Sequence, residues 1–192
     1  MSTAPKRYIK PEEYLEIERK ADHRSQYFNG EMFAMAGASD THVQIATNIA
    51  GEMRQRLKGK PCRVGAADKR VGIPQTGSYT YPDVIVLCGE PRQSPLDKDT
   101  LLNPSIIFEV LSESTESFDR GTKFAHYQQV SSLTDYILVS QTEYRVERFR
   151  KQPSGDWLLS VFTLLGESVP FHDFGIELPL SEIYYLVELN QN

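Results

Sequence analysis

Two apolar runs in the middle of the chain show no alternation: Asp83 to Cys88 (DVIVLC) and Ser105 to Leu111 (SIIFEVL). Continuous β-branched and aromatic runs of this length read as strands buried on both faces. Thr134 to Ser140 (TDYILVS) reads as a third buried strand. Beyond it, Tyr144 to Arg150 and Trp157 to Leu165 alternate like half-exposed antiparallel strands, turning at Pro153-Ser154-Gly155-Asp156. Near the start, Ser25 to Ala36 alternates imperfectly around Asn29-Gly30, a strong hairpin signal. Cys62 to Ile73 reads as one basic strand stopped by Pro74. Gln75 to Tyr81 reads as a loop or hairpin connection, and Gly89 to Asn103, polar and with two prolines, as a mobile flap.

Helical spacing occupies the intervals. Ile45, Ile49, Met53 and Leu57 recur every four residues, which predicts a helix over Ser39 to Leu57, capped by Ser39 or Asp40 and ended by Gly59 and Pro61. Pro11, Glu12 and Glu13 suit the first turn of a helix running to Lys20. Asp119 to Val130 and Leu180 to Leu189 complete the set, and the C-terminal tail is expected to cover an open sheet edge. The order predicts a single α/β (α+β) domain over residues 1–192, with a core at about 39–140 and a C-terminal β extension at 141–192.

Composition narrows this little. The chain has 192 residues, 40% hydrophobic and 24% charged, which is ordinary for a globular domain. The net charge of −5 argues against an indiscriminate nucleic-acid coat but leaves room for a local basic patch. Cys62 and Cys88 are isolated, and the expectation is two buried reduced thiols in a cytosolic protein. With no apolar leader and no run of ~18 apolar residues, a soluble cytoplasmic protein is expected.

The chemistry sits in the buried strands. Asp83 stands at the mouth of the first and Glu109 inside the second, and a carboxylate in such a run is costly unless a metal or a cation pairs with it. Asp119, Lys123 and Tyr127 are spaced by four and share a helix face. There is no GxSxG, HExxH or Walker loop, and His23, His42, His126 and His172 are too scattered for a zinc cluster.

Pro82-Asp83, then Glu109-Val110-Leu111-Ser112, then Asp119-Arg120, Lys123 and Tyr127 resemble the Uma2 family of endonucleases, as do Arg24 to Gly37, His42 and Asp68-Lys69-Arg70-Val71. The resemblance covers nearly the whole chain. It implies a restriction-endonuclease-like core of the PD-(D/E)XK kind: a mixed central β-sheet flanked by helices, here with extra N-terminal and C-terminal strands. It also implies a Mg²⁺-dependent DNA endonuclease, with Mn²⁺ as a substitute. Asp83 and Glu109 would bind the metal and Lys123 would complete the catalytic set. His42, Asp68, Glu31 and Tyr127 would support it. Read from the residues, Lys69, Arg70 and Arg120, with Arg63 and Lys123, are expected to form a basic patch beside the acidic site that meets DNA.

Two positions depart from the pattern. The family usually has a glutamate where this chain has Gln26, and the usual lysine two residues after the glutamate is Leu111. Lys123 is the replacement, although an ordinary i,i+4 ion pair with Asp119 would leave the same trace. Equally ordinary roles exist for the others: a strand-entry cap for Asp83, a buried ion pair for Glu109, a structural His42, a solvated Glu31 and a locally paired Asp68. A catalytically weak or inactive nuclease-fold module that binds nucleic acid is therefore the alternative, and an interaction protein is a third. A homo-oligomer, in the first place a dimer, is expected because cutting both strands takes two sites; no membrane association is expected.

Overall fold

The computed structural model describes residues 7–189. In chain order the elements are α1 (Pro11–Lys20), β1 (Ser25–Phe28), β2 (Glu31–Ala34), α2 (Asp40–Arg56), β3 (Cys62–Ala66), β4 (Val71–Ile73), β5 (Ser78–Thr80), β6 (Val84–Cys88), β7 (Gln93–Ser94), β8 (Asp97–Leu101) and β9 (Ile106–Leu111). Next, α3 (Glu116–Phe118) runs through a π-helical turn at Asp119–Lys123 into α4 (Phe124–Tyr127). Then follow β10 (Asp135–Ser140), β11 (Val146–Lys151), β12 (Trp157–Phe162), β13 (Ser168–Phe171), β14 (Ile176–Pro179) and α5 (Leu180–Ile183).

The strands form two six-stranded mixed sheets and a hairpin. The first sheet runs β2-β1-β5-β4-β8-β7 and the second β12-β11-β10-β9-β6-β3. Each contains one parallel pair, β4 with β8 and β9 with β10. The fold is thus α+β with mixed sheets and flanking helices, as expected, although the sheet anticipated as one central layer is two.

The central strand β9 explains the core. Ile106, Phe108 and Val110 face α2, where Ile45, Ile49 and Met53 are fully buried against them together with Val169, Phe171 and Leu180 of the tail. Ile107 and Leu111 face the other way, into a cluster with Phe124 and Tyr127 of α4 and with Val71, Ile73 and Leu101 of the first sheet. A strand with both faces covered shows no alternation, which is why IIFEVL reads as a solid run. Glu109 belongs to the face that looks at α4.

Several boundaries differ from the expectation. Cys62 to Ile73 is two strands in two different sheets, broken where Ala67 adopts a left-handed φ of 47°. The supposed flap is ordered as β7 and β8, because Asp97 is buried and bonded to Arg70 and Thr100. Gln75 to Tyr81 supplies β5, which returns on β4 past Gly77. The tail adds the β13–β14 hairpin and packs on the face of the second sheet against α2 rather than on its edge. Asn29 and Gly30 do turn the first hairpin, with φ of 48° and 84°, and a side chain at Gly30 would strike the ring of Tyr8. Cys62 and Cys88 lie opposite each other in the β3–β6 register and form a disulfide, correcting the expectation of reduced thiols. No helix among the described residues is long and apolar enough to cross a membrane.

Candidate active site

Pro82 has no N–H to give a ladder, and β6 starts only after Asp83. The N–H of Val110 on β9, opposite this gap, instead donates to Asp83 Oδ2 at 2.7 Å. The other oxygen, Oδ1, lies 2.9 Å from His42 Nε2. His42 sits in the first turn of α2, where its own N–H donates to the Ser39 side-chain cap at 3.1 Å. Asp83 is therefore held from two elements at once and stays partly exposed at the base of a groove.

Glu109 lies deeper, on the face of β9 that looks at the α3–α4 segment, and is 2% exposed. Lys123 reaches down from the π-helical turn and places Nζ 2.8 Å from Glu109 Oε1 and 3.0 Å from Asp119 Oδ1. Tyr127 donates its hydroxyl to the same Oε1 at 3.1 Å and contacts Thr80 Oγ1 at 2.8 Å. Leu111, two residues after Glu109 on the same face, is packed in the apolar cluster, so the ammonium reaches Glu109 from the overlying helix instead.

The electrostatics are unbalanced. Burial pushes Glu109 up to about 8, Lys123 pulls the other way, and the charges of Asp119 and Asp83 add to the rise. Burial pulls Lys123 down, but Glu109, Asp119 and Asp83 outweigh it, so the ammonium is held well above its ordinary range. One cation thus serves several carboxylates, an arrangement that a divalent cation would relieve. No three of the described His, Cys, Asp and Glu side chains form a metal-binding group. Asp83 and Glu109 both line the groove, and two carboxylates with water and phosphate can suffice for Mg²⁺.

The structure brings Asp83, Glu109, Lys123, His42 and Asp68 to the groove, with Tyr127 behind them. Asp68 is exposed at its side, 3.5 Å from Arg24 Nε. Glu31 sits on β2 opposite Phe28 and does not line the groove. The basic residues fare differently. Arg70 is buried and bonds Asp97, Thr100 and Tyr81. Lys69 donates to the Asp99 carbonyl at 2.8 Å, and Arg120 is paired with Glu116 and Glu147. Arg63 stands exposed on the edge strand β3. These four do not gather beside Asp83 and Glu109. Sequence reasoning treated Asp119 only as an ion-pair partner and missed Thr80; the DR dipeptide pointed at the first, and nothing pointed at the second.

The mixed sheets that frame this groove have a counterpart among solved structures. A crystal structure described as "a putative nuclease belonging to DUF820", from Anabaena variabilis, superposes with a TM-score of 0.77 over 94% of this chain and 99% of that one, at 18% identity. The family model Uma2, described as "Putative restriction endonuclease", matches residues 11–181. The chain belongs to the Uma2 family. Two relatives from Synechocystis sp., the uncharacterized proteins slr1290 and sll1609, are 38% and 34% identical. The first alignment covers 82% of either chain, the second 88% of this chain and 94% of the relative.

Proposed function

We propose that the protein is a divalent-metal-dependent endonuclease that hydrolyses phosphodiester bonds in DNA, with Mg²⁺ or Mn²⁺ held by Asp83 and Glu109. The observation that carries this reading is the convergence of Lys123, from a separate helix, on a buried carboxylate that shares a groove with Asp83. A bound divalent ion would activate water and offset phosphate charge. His42 fixes the rotamer of Asp83, and Tyr127 with Thr80 fixes that of Glu109. Lys123 offers a preorganised ammonium to negative charge developing on the phosphoryl oxygens. One specific observation favours the second reading, a nuclease-fold binding module of low activity: Lys123 Nζ is already engaged by Glu109 and Asp119.

The test has two parts. Mg²⁺ or Mn²⁺ raises the melting temperature of the wild type, since a ligand bound only by the native state stabilises it. Asp83→Asn removes that rise. In single-turnover assays with Mn²⁺ the wild type nicks supercoiled plasmid and Asp83→Asn does not. Metal binding without cleavage selects the binding module, and calorimetry that detects no divalent ion ends the metal-dependent reading.

A further inference from the structure

The lining of the groove is of two kinds, acidic at Asp83, Glu109 and Asp119 and aromatic at Phe28, Phe33 and Phe118. The groove's volume is about 1200 Å³. Phe33, on the outermost strand of the first sheet, is 47% exposed, a high value for a phenylalanine on a hairpin that could have turned it inward. Its ring lies 6.1 Å from that of Phe28, which is buried and itself backed by Phe118 at 5.0 Å. The three rings line the groove in a chain inclined at 59° and 81° to one another, and Phe33 is the ring left half exposed there.

Among the described residues, Lys123 is the one lysine or arginine that lines this groove, and it is buried between two carboxylates. Arg24 stands at the rim, paired with Asp68. Duplex DNA is gripped mainly through its phosphates, by arginines, lysines and backbone N–H groups arrayed along the surface. Among the described residues no row of lysines and arginines lines the groove, and the net charge of −5 adds long-range repulsion. The exposed ring of Phe33 suits another source of affinity, the stacking of a base removed from its own stack, worth about 1–3 kcal/mol per base and tolerant of sequence.

We propose that the groove binds an unpaired stretch of nucleic acid, with a base stacked on Phe33 and the adjoining phosphodiester directed to Asp83 and Glu109, in preference to an intact duplex. This rests on the nuclease reading for the choice of nucleic acid and for the position of the phosphodiester; the stacking role rests on the exposure of Phe33 at the groove.

The test is fluorescence anisotropy with three labelled probes of one mixed sequence: a 12-nucleotide DNA strand, its duplex, and the RNA strand. Each is measured with Asp83→Asn as background, so that cleavage does not intervene, with and without Mg²⁺. A single strand is expected to bind at least about tenfold more tightly than the duplex, with a shallow dependence on salt. Phe33→Ala is expected to weaken single-strand binding about tenfold, the equivalent of roughly 1.4 kcal/mol of lost stacking. Phe33→Tyr, which keeps the ring, retains it. Because Phe33 is half exposed, its melting temperature is the control that the fold is intact. Preference for either sugar supports the inference and names the nucleic acid. Duplex binding as tight as single-strand binding, no binding of any probe, or a Phe33→Ala variant with unchanged affinity overturns it. Plasmid cleavage that persists equally in Phe33→Ala would sink this inference and keep the nuclease. Ring-dependent single-strand binding without metal-dependent cleavage by the wild type would do the reverse.

Discussion

Glu109 is a carboxyl group surrounded by protein, with one ammonium close by and two further carboxylates within electrostatic reach. Burial disfavours its charged form more than Lys123 favours it, so its affinity for a proton rises from the ordinary 4.5 to about 8. The sign of the consequence follows from linkage. Below about 4.5 the group is protonated in both the folded and the unfolded chain. Between about 4.5 and about 8 the unfolded chain releases its proton while the folded one keeps it. Stability contributed by Glu109 is therefore full at low pH and is lost as pH rises through that window. Lys123 stays charged throughout it and adds no slope. Chemical denaturation of the metal-free protein should thus show a falling contribution between pH 5 and pH 8, which Glu109→Gln removes. A wild type whose slope matches that of Glu109→Gln would mean that Lys123 keeps Glu109 ionised. That Asp83, Glu109 and Lys123 come together was legible in the sequence, the first two as carboxylates in apolar runs and the third by its spacing from Asp119 and Tyr127. Lys69, Arg70 and Arg120 were misleading as a patch, because a basic residue in a sequence does not show which acid it meets. Arg70 meets Asp97, 27 positions away, inside the fold.

At the scale of elements, the long solid runs were readable and the short interrupted ones were not. A six-residue strand covered on both faces leaves an unbroken apolar signature, as β9 and β10 do. Strands of two or three residues such as β4, β5 and β7 are set by tertiary pairing, and their propensity carries little information. The break at Ala67 was invisible because alanine gives no hint of a left-handed φ. The disulfide was hidden for a related reason: its cysteines are 26 positions apart and meet only through the antiparallel register of β3 and β6. That bridge closes the segment containing β4 and β5 and limits the freedom of the unfolded chain. Replacing both cysteines by alanine should lower unfolding stability by about 3 kcal/mol, the scale for a loop of this length. Urea titration with and without reductant checks it: the wild type should fall to the level of the double variant when reduced. Divalent-ion binding should persist under mild conditions, because Asp83 sits at the opposite end of β6 from Cys88. Equal stability of the oxidised wild type and the double variant would show that strand pairing alone sets the register.

At the scale of the whole molecule, one sheet edge among the described residues is uncharged and rich in exposed apolar side chains. The second sheet ends on β12, and its pattern of exposure is open on both faces. From Trp157 to Leu165 no residue is charged, and Leu158, Leu159, Val161, Leu164 and Leu165 are all exposed. Edge strands that remain alone carry a lysine, a proline or a bulge to block pairing, and β12 has no lysine or proline. Its order of residues is self-complementary. A twofold axis at Ser160 sets Leu158 against Phe162 and Leu159 against Val161 of a second copy, apolar pairs of the kind that stabilise antiparallel strands. The protein is therefore expected to self-associate through β12, and sedimentation equilibrium should show a dimer. Leu159→Lys should shift it to monomer while changing unfolding stability by no more than about 0.5 kcal/mol, the usual range for an exposed site. Ser160→Cys, placed on the axis, should cross-link two copies under oxidation, whereas Leu165→Cys should not. β12 contributes no residue to the groove, so the monomeric variant should bind single-stranded probes as the wild type does. A wild type that sediments as a monomer at every concentration would show that the edge stays unpaired, and a dimer untouched by Leu159→Lys would place the contact on another face.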